Sequence, residues 1–308
     1  MISIIIPYRI FDKYLEECLE GCSSLDYDSF EVILLPDKKT REDKKFKIYE
    51  TGKVKPSVKR NLGVKHSKGD LIAFIDADAY PRSDWLKNAV KYFENEKVGI
   101  VGGPNLTPRN VNIWEKISGD CLSMFIGSGN AAVRYKIGNK VEEVMELPTC
   151  NMLIRKELFS DFDENLLTAE DTKLCFQVKE KGKKVLYVPD VVVYHHRRNS
   201  LKGHLKQMWI YGRDIAFLTK QKFSFDKLYY SLLSLWVIFL VVGTLISFFN
   251  EFLRFIFLGI VLFYLVIILF SSLVVNFKRS LLIFFTVVLT HLSYGIGFIY
   301  GVLNGKKT

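Results

Sequence analysis

Charge is scarce in the last 86 residues of this 308-residue chain. Only eight Asp, Glu, Lys or Arg residues lie after Lys222, although the whole chain is 25% charged and has a formal net charge of +10. Soluble domains keep about a quarter of their residues charged, so this distribution excludes a wholly soluble protein. The well-charged first 222 residues exclude a pure membrane bundle, and a hydrophobic content of 49% excludes a disordered chain.

Cysteine is also scarce, and its spacing forms no metal-binding pattern. The chain has five scattered cysteines, and no second Cys or His pair stands at zinc-finger distance from Cys18 and Cys22. We therefore expect reduced, buried thiols in a cytosolic domain. We also expect no secretory leader, because the apolar run at residues 2–6 is short and is followed at once by Pro7.

Three long apolar stretches, at residues 229–249, 255–275 and 281–303, predict transmembrane helices. Each is close to the 20 or so residues that cross about 30 Å of hydrocarbon. Positive residues favour the cytoplasmic side, and those on the side of the charged domain are Lys220, Lys222, Lys227, Lys278 and Arg279. The opposite side has Arg254, Lys306 and Lys307. We predict a multi-pass protein of the cell membrane whose charged domain is cytoplasmic.

Short apolar runs alternate with helical patterns through the first 200 residues. Strands are predicted at residues 3–7, 31–35, 71–75, 99–102, 151–154 and 185–188. Helices are predicted at residues 12–25, 57–66, 83–94 and 171–181. This alternation indicates an α/β domain with a mostly parallel sheet, whose ligands bind beyond the carboxyl ends of the strands. Residues 105–147 show no clear periodicity and are expected to form a loop, on the acceptor side of a site or simply on the surface.

Two carboxylate pairs stand at the ends of these elements. Asp76 and Asp78 follow an apolar strand, where they suit a hard cation such as Mg²⁺ or Mn²⁺ or an ordinary acidic turn. Glu170 and Asp171 open a helix, where they are candidate acid–base residues or complement the helix dipole. Of the vicinal histidines at 195 and 196, alternation along a strand allows one at most to face a site.

The segment from residue 195 to residue 222 has seven Lys or Arg against one Asp. Apolar and aromatic residues alternate with these charges, which is typical of a basic amphipathic helix in the headgroup plane. A helix packed on the charged domain is the alternative. Anionic lipid explains this basic excess better than nucleic acid does, and we expect no nucleic-acid partner. Arg197 and Arg198 suit either lipid headgroups or diphosphate oxygens.

Taken in order, these segments resemble the family 2 glycosyltransferases, which have the GT-A nucleotide-sugar fold. The resemblance covers residues 1–200 and rests on SIIIPYR at 3–9, KRNLG at 59–63, GDLIAFIDAD at 69–78, CNMLIR at 150–155 and AED at 169–171. It implies a GT-A domain at 1–200, a basic interfacial segment at 201–228 and three transmembrane helices at 229–303.

The resemblance also implies residue roles. Asp171 matches the catalytic base, beside Glu170, and Asp78 matches the main metal ligand for Mg²⁺ or Mn²⁺. The other implied metal or diphosphate contacts are Asp76, His195, Arg197 and Arg198. The implied nucleotide contacts are Pro7, Tyr8, Arg9, Asp37 with the base, and Arg60 and Asn61 near the base or diphosphate.

The expected activity is inverting transfer of a sugar from a UDP- or GDP-linked donor to a lipid-linked, polyprenyl acceptor, next to membrane lipids. Asp37 stands alone after Pro36, where many relatives have a longer acidic turn, and this leaves the base open. The run Gln207-Met208-Trp209 lacks the arginine spacing of processive synthases, which speaks against polymerisation. Two alternatives are a polyprenyl-phosphate monosaccharide synthase and, in a different class, an inactive membrane scaffold or sugar-binding module.

Overall fold

The computed structural model of the chain describes residues 1–39, 45–164, 166, 168–221 and 225–304. The chain divides into two compact units. The sheet unit comprises Met1–Asn110 and Val133–His196, and the helical unit comprises Val111–Ala132 and Arg197–Thr308. Three lysines used above to predict orientation, Lys222, Lys306 and Lys307, lie outside the described residues.

The strands and helices are as follows. The strands are β1 (Ile2–Pro7), β2 (Phe30–Leu35), β3 (Lys47–Ile48), β4 (Leu71–Phe74), β5 (Ala79–Pro81), β6 (Val98–Gly102), β7 (Asn105–Leu106), β8 (Glu142–Glu143), β9 (Met152–Arg155), β10 (Lys184–Tyr187) and β11 (Val193–His195). The helices are α1 (Lys13–Ser23), α2 (Pro56–His66), α3 (Trp85–Val90), α4 (Ile113–Ser123), α5 (Phe125–Ser128), α6 (Glu170–Glu180), α7 (Leu201–Gln221), α8 (Leu232–Ser247), α9 (Glu251–Val275) and α10 (Ser280–Asn304). Of the helix predicted at 83–94, residues Trp85–Val90 are α-helical and Lys91–Glu94 form a 3₁₀ helix. Such 3₁₀ turns are frequent at helix ends.

Within the described residues, eight strands form the main sheet in the order β3-β2-β1-β4-β9-β6-β10-β8. β1 pairs in parallel with β2 and β4, and β6 pairs in parallel with β10, so the predicted mostly parallel sheet is confirmed. β9 runs antiparallel to both β4 and β6. The sequence could not show this, because a short buried apolar strand has the same pattern in either direction.

The strand β1 is buried on both faces, and its alternate residues enter two different cores. Ile4 and Ile6 pack in the core that includes Leu15 of α1 and Trp85 of α3. Ile5 packs in the core on the other face, to which α2 and α6 contribute. Helices therefore cover both faces of the sheet, as in other α/β domains. All five cysteines lie in described parts of the chain, and each is buried and free of disulfide bonds.

A buried asparagine fixes the small sheet formed by β5, β11 and β7. The Asn151 side chain is fully buried and accepts a hydrogen bond from the Trp85 indole N–H at 2.8 Å. Its amide nitrogen donates to the carbonyls of Pro104 at 3.0 Å and Val191 at 2.8 Å. An unmet buried polar group costs about 1–3 kcal/mol, so these bonds hold firmly the segments that flank β7 and β11. β11 ends at His195.

In the helical unit, three helices of the described chain are long and apolar enough to cross a membrane: Leu228–Ser247, Glu251–Val275 and Phe277–Asn304. The mean hydropathies of their most apolar windows are 2.1, 2.9 and 1.9. They coincide with the three predicted apolar stretches. The helices α8 and α9 expose many large apolar side chains, for example Val241 and Leu245 on α8 and Phe252 and Phe263 on α9.

The helix α7 packs closely along α10 within this unit. A Cβ atom at Gly212 would lie 2.2 Å from the Tyr294 carbonyl oxygen, and one at Gly297 would lie 2.1 Å from the Trp209 carbonyl oxygen. Only glycine permits such close approach of two helix backbones. The predicted location of this basic segment in the headgroup plane stays a prediction.

The expectation that residues 105–147 form only a loop is wrong. They include α4, whose Ile117 and Cys121 lie in the apolar core of the helical unit with Ile283 and Val287 of α10. Several other buried positions of α4 are polar or small: Glu115, Ser118 and Gly119. A hydrophobic stripe was therefore too weak to reveal the helix.

Candidate active site

The carboxyl ends of β1, β2 and β4 meet at one edge of the main sheet because these strands are parallel. Tyr8 follows β1, Asp37 follows β2 and Asp76 follows β4. Pro7 and Tyr8 are buried, whereas Arg9 is exposed. Ligands of α/β sheets bind at this edge, so the backbone brings the predicted nucleotide-binding residues to one place.

Three potential metal ligands cluster beside this edge. Asp76, Asp78 and His195 each offer one ligand atom, and these atoms lie within 4.8 Å of one another. His195 Nε2 is 3.1 Å from Asp78 Oδ1. Asp78 and His195 are far apart in sequence. They are brought together by the pairing of β11 with β5, in which His195 lies opposite Ala79. Two carboxylates and one imidazole form a donor set that fits a divalent cation such as Mg²⁺ or Mn²⁺.

The two neighbouring histidines face different partners, as strand alternation predicted. His195 contacts Asp78, whereas His196 Nε2 lies 2.7 Å from Glu17 Oε2 and its ring packs against Tyr14. Burial alone would lower the pKa of His195, but the Cys150 thiol and the Asp78 carboxylate outweigh it and raise this pKa to about 10. A bound metal ion would compete with that proton for the ring nitrogen.

A buried arginine connects a carboxylate of the Asp-Asp-His cluster to the acidic pair at the start of α6. Arg60 donates from Nη2 to Asp76 Oδ1 at 2.6 Å and from Nη1 to Glu170 Oε1 at 2.9 Å. Burial lowers the pKa of Arg60, but the charges of Asp76 and Glu170 outweigh it and raise this pKa. One planar guanidinium thus sets the separation of the two carboxylates. The structure places Arg60 between acids, and its predicted contact with the base or diphosphate stays a prediction.

The second acidic pair begins α6. Ala169, which precedes it, has φ 65°, a left-handed conformation that non-glycine residues seldom adopt and that concentrates at functional sites. Burial and the Asp171 charge raise the pKa of Glu170 to about 7, against the opposing charge of Arg60. Burial and the Glu146 charge likewise raise the pKa of Asp171. A raised pKa makes a carboxylate a better proton acceptor near neutral pH.

Asn61, Arg197 and Arg198 are placed differently from the strand-end residues. The Asn61 side chain exchanges two hydrogen bonds with the Phe162 backbone, at 3.0 and 2.8 Å, and so fixes the loop before α6. Arg197 and Arg198 begin the helical unit, where the Arg197 amide donates to Glu115 Oε2 at 3.2 Å. Direct nucleotide or diphosphate contacts of these three residues stay predictions.

Four further residues belong to these clusters and were not predicted from the sequence. Cys150 lies against His195, and the ion pair of Arg134 with Glu146 (3.3 Å) acts on the charge of Asp171. The segment around Arg134 and Glu146 offered no signal because it lacks periodicity. Lys59 is buried and bonded to Asp37, and its place beside Arg60 in the KRNLG run was the available signal.

The α/β sheet is covered by helices on both faces, an Asp-Asp-His cluster lies beside its strand ends and an acidic pair begins α6. This is the arrangement expected of a transferase with the GT-A fold. The chain belongs to glycosyltransferase family 2, because the model described as "Glycosyltransferase like family 2" matches residues 1–212. The predicted family, fold class and enzyme class are thereby confirmed.

Two curated relatives and one solved structure show the range of similarity. Over 234 residues the chain is 28% identical to the dolichyl N-acetyl-alpha-D-glucosaminyl phosphate 3-beta-D-2,3-diacetamido-2,3-dideoxy-beta-D-glucuronosyltransferase of Methanococcus voltae, covering 68% of this chain and 71% of the relative. It is 26% identical over 177 residues to the pre-mycofactocin glycosyltransferase of Mycobacterium tuberculosis, covering 52% of this chain but only 34% of that protein. The mannosyltransferase PcManGT from Pyrobaculum calidifontis, solved with GDP-Man and Mn²⁺, shares the fold with a TM-score of 0.62 at 14% identity, covering 99% of this chain and 88% of that one.

Proposed function

We propose that this protein is a membrane-bound, metal-dependent, inverting glycosyltransferase that moves a sugar from a UDP- or GDP-linked donor to a lipid-linked acceptor. One observation carries the proposal: Arg60 bridges Asp76, in the candidate metal cluster, to Glu170, beside the candidate base. In this proposal the metal ligands at the leaving diphosphate and the base at the acceptor lie on either side of the Arg60 guanidinium. Both are needed around one sugar carbon.

The chain's own residues supply two functions in this proposal. Asp78, Asp76 and His195 would hold Mg²⁺ or Mn²⁺, with the imidazole favouring Mn²⁺, and the cation when bound supplies positive charge for the leaving diphosphate. Asp171 takes the proton of the acceptor hydroxyl while that oxygen bonds to the anomeric carbon. The bond from this carbon to the diphosphate oxygen breaks, and the electron pair leaves with the diphosphate. One displacement with one base inverts the anomeric carbon.

The helical unit supports a lipid-linked acceptor. Three of its helices are long and apolar enough to cross a membrane. The helix α7, in the same unit, has Lys202, Lys206 and Lys220 along its length. The name of the Methanococcus voltae relative specifies a dolichyl-phosphate-linked acceptor. We propose the same acceptor class here, polyprenyl-linked, with membrane lipids as neighbours. The three spans at 229–303, the interfacial segment at 201–228 and the cytoplasmic GT-A domain at 1–200 belong to this proposal.

The proposal predicts that purified full-length protein in lipid vesicles transfers label from a nucleotide sugar to a polyprenyl-phosphate-linked sugar. The measurement screens radiolabelled UDP- and GDP-sugars against two acceptors, that lipid and bare polyprenyl phosphate. An α-linked donor should yield a β-linked product by NMR of the anomeric proton. A surface variant, Asp70→Asn, should transfer like the wild type, since this side chain is 91% exposed at the opposite end of β4.

The other outcomes are equally informative. Transfer only to bare polyprenyl phosphate would identify a monosaccharide-lipid synthase instead. Folded protein that transfers no sugar from any donor would contradict the proposal and support an inactive scaffold. A product that retains the donor's anomeric configuration would overturn the single displacement.

A further inference from the structure

The helices α7 and α10 of the helical unit lie side by side and run in the same direction. Their contacts follow the same order along both helices. From the start of α7 to its end, the pairs are His204 with Thr290, Leu205 with Ser293, Trp209 with Gly297 and Lys220 with Val302. Two helices keep contact over about four turns only at a small crossing angle. Therefore α7 and α10 either both cross a membrane or both lie along its surface.

The helices α8 and α9 form an antiparallel hairpin, joined by residues 248–250. Their ring contacts follow opposite orders along the two helices. The pairs are Phe239 with Phe257, at 5.4 Å between ring centroids, and Trp236 with Tyr264, at 4.3 Å. A hairpin crosses a membrane twice or not at all, and in both cases it returns the chain to the side from which the hairpin began.

The directions of these four helices exclude a crossing by α7 and α10. If both crossed, α7 would carry the chain from the side where it begins, the near side, to the far side. The α8–α9 hairpin would then return the chain to the far side, where α10 would begin. However, α10 runs in the same direction as α7 and would have to begin on the near side. Therefore α7 and α10 lie along one surface, and α8 and α9 are left to cross.

Burial and charge agree with this assignment. In α8 and in α9, 11% of the most apolar window is buried within the protein, compared with 44% in α10. The helix α10 thus uses many of its apolar side chains to pack on other helices instead of on lipid. The exposed lysines of α7 extend from Lys202 to Lys220, about 27 Å along the helix. A helix at the surface keeps all of them among the headgroups and out of the hydrocarbon.

We propose that, among the described residues, the chain crosses the membrane only as the α8–α9 hairpin, and that α7 and α10 lie as a pair on the leaflet where α8 enters. The end of α10 is then on the same side as α7, the cytoplasmic side in the proposed function. This inference rests on the membrane location in that proposal. It replaces the third of the three proposed spans with a second interfacial helix.

The assignment also changes how positive charge is distributed across the membrane. In the sequence, Lys306 and Lys307 follow α10, outside the described residues, and they join Lys278 and Arg279 on the cytoplasmic side. Arg254 is then the one Lys or Arg after residue 222 on the far side. Because Lys and Arg are enriched on the cytoplasmic side, two crossings fit the sequence better than three.

The test labels cysteines with a membrane-impermeant maleimide in intact and in permeabilised cells that express the full-length protein. A cysteine in a short Gly-Ser tag after Thr308 reports the side on which α10 ends. Phe249→Cys, 90% exposed at the tip of the hairpin, marks the far side, and Asp70→Cys, 91% exposed, marks the near side. The wild type, whose five cysteines are buried, is the blank. The tag should react like Asp70→Cys, only after permeabilisation, whereas Phe249→Cys should react in intact cells.

The opposite labelling patterns would overturn the inference. A tag that reacts like Phe249→Cys would show that α10 crosses, and sugar transfer by the same tagged protein would leave the transferase proposal standing. If Phe249→Cys instead reacts like Asp70→Cys, the hairpin does not cross and the inference also fails.

A second measurement follows the depth of each helix in phosphatidylcholine–phosphatidylglycerol vesicles. Spin labels are placed on single cysteines at exposed positions of each helix, and their accessibility to oxygen and to a water-soluble nickel complex is compared. The positions are Leu281, Ile296 and Leu303 on α10 and Phe252, Phe263 and Val274 on α9. The helix α9 is the internal control, because its 25 residues extend about 37 Å and its middle label should be the deepest. The three α10 labels should share one shallow depth, and a deep middle label between shallow ends on α10 would overturn the inference.

Discussion

Replacing Asp171 with asparagine should lower the rate constant for sugar transfer by about 10³-fold and leave donor affinity nearly unchanged. A positioned general base contributes about 10²–10⁴-fold. Asparagine has the same shape and can still accept a hydrogen bond from the Thr149 or Thr172 amide, which Asp171 accepts at 3.3 and 2.8 Å. The site should therefore stay assembled while its proton acceptor is lost. Single-turnover kinetics with labelled donor separate this chemical step from binding.

The control for this change is Asp161→Asn, whose side chain is 61% exposed in the loop before α6. It should transfer at the wild-type rate. An Asp171→Asn protein that loses less than tenfold would remove Asp171 as the base. That result is expected if the acceptor is a lipid phosphate, which is already anionic and needs no proton removed.

Replacing Asp78 with alanine should abolish metal-dependent donor binding. Asp76, Asp78 and His195 would supply at most three ligands, fewer than Mg²⁺ or Mn²⁺ takes, so the cation should bind weakly without the oxygens of the nucleotide. Linkage then requires metal and nucleotide to strengthen each other's binding by the same factor. In the wild type, UDP or GDP affinity should rise steeply with Mn²⁺, and chelator should stop transfer. In Asp78→Ala this rise should vanish and transfer should fall about 10³-fold, since a metal supplies several kcal/mol.

Further variants compare how much each residue of the cluster contributes to metal binding. Asp70→Ala changes an exposed carboxylate and should leave the metal effect intact. His195→Gln should weaken metal binding without removing Asp78. Equal donor affinity with and without metal, in wild type and Asp78→Ala alike, would contradict the metal role and leave Arg197 and Arg198 as the counter-charge for the diphosphate.

The strand ends could be predicted from sequence because their signal is local. Asp76 and Asp78 directly follow an apolar strand, and Glu170 and Asp171 directly begin a helix. Once the domain is interpreted as a parallel α/β sheet, the first pair is expected at the carboxyl ends of the strands, where ligands bind. The position of His195 beside Asp78 could not be predicted from such a local signal. Its approach to Asp78 depends on the pairing of β5 with β11, two three-residue strands whose pairing no short sequence window reveals.

Other features could not be predicted from the sequence because they depend on tertiary contacts between distant segments. Lys59 has the residue type of a surface position, and only the fold shows that three acceptors surround its ammonium group. The polar residues that α4 buries gain partners from distant elements: Ser118 Oγ lies 2.8 Å from His204 Nδ1, and His204 Nε2 lies 2.8 Å from Thr290 Oγ1. Hydrophobic periodicity cannot detect a helix whose buried side is partly polar.

The position of the cation tests the central claim most directly. Crystals of the full-length protein grown with Mn²⁺ and a nucleoside diphosphate should show an anomalous peak at the manganese edge about 2.1–2.3 Å from an Asp78 carboxylate oxygen. His195 Nε2 should lie within coordination distance of the same peak, and the diphosphate oxygens should complete its shell. A manganese peak bound to the diphosphate but remote from Asp76, Asp78 and His195 would contradict the account.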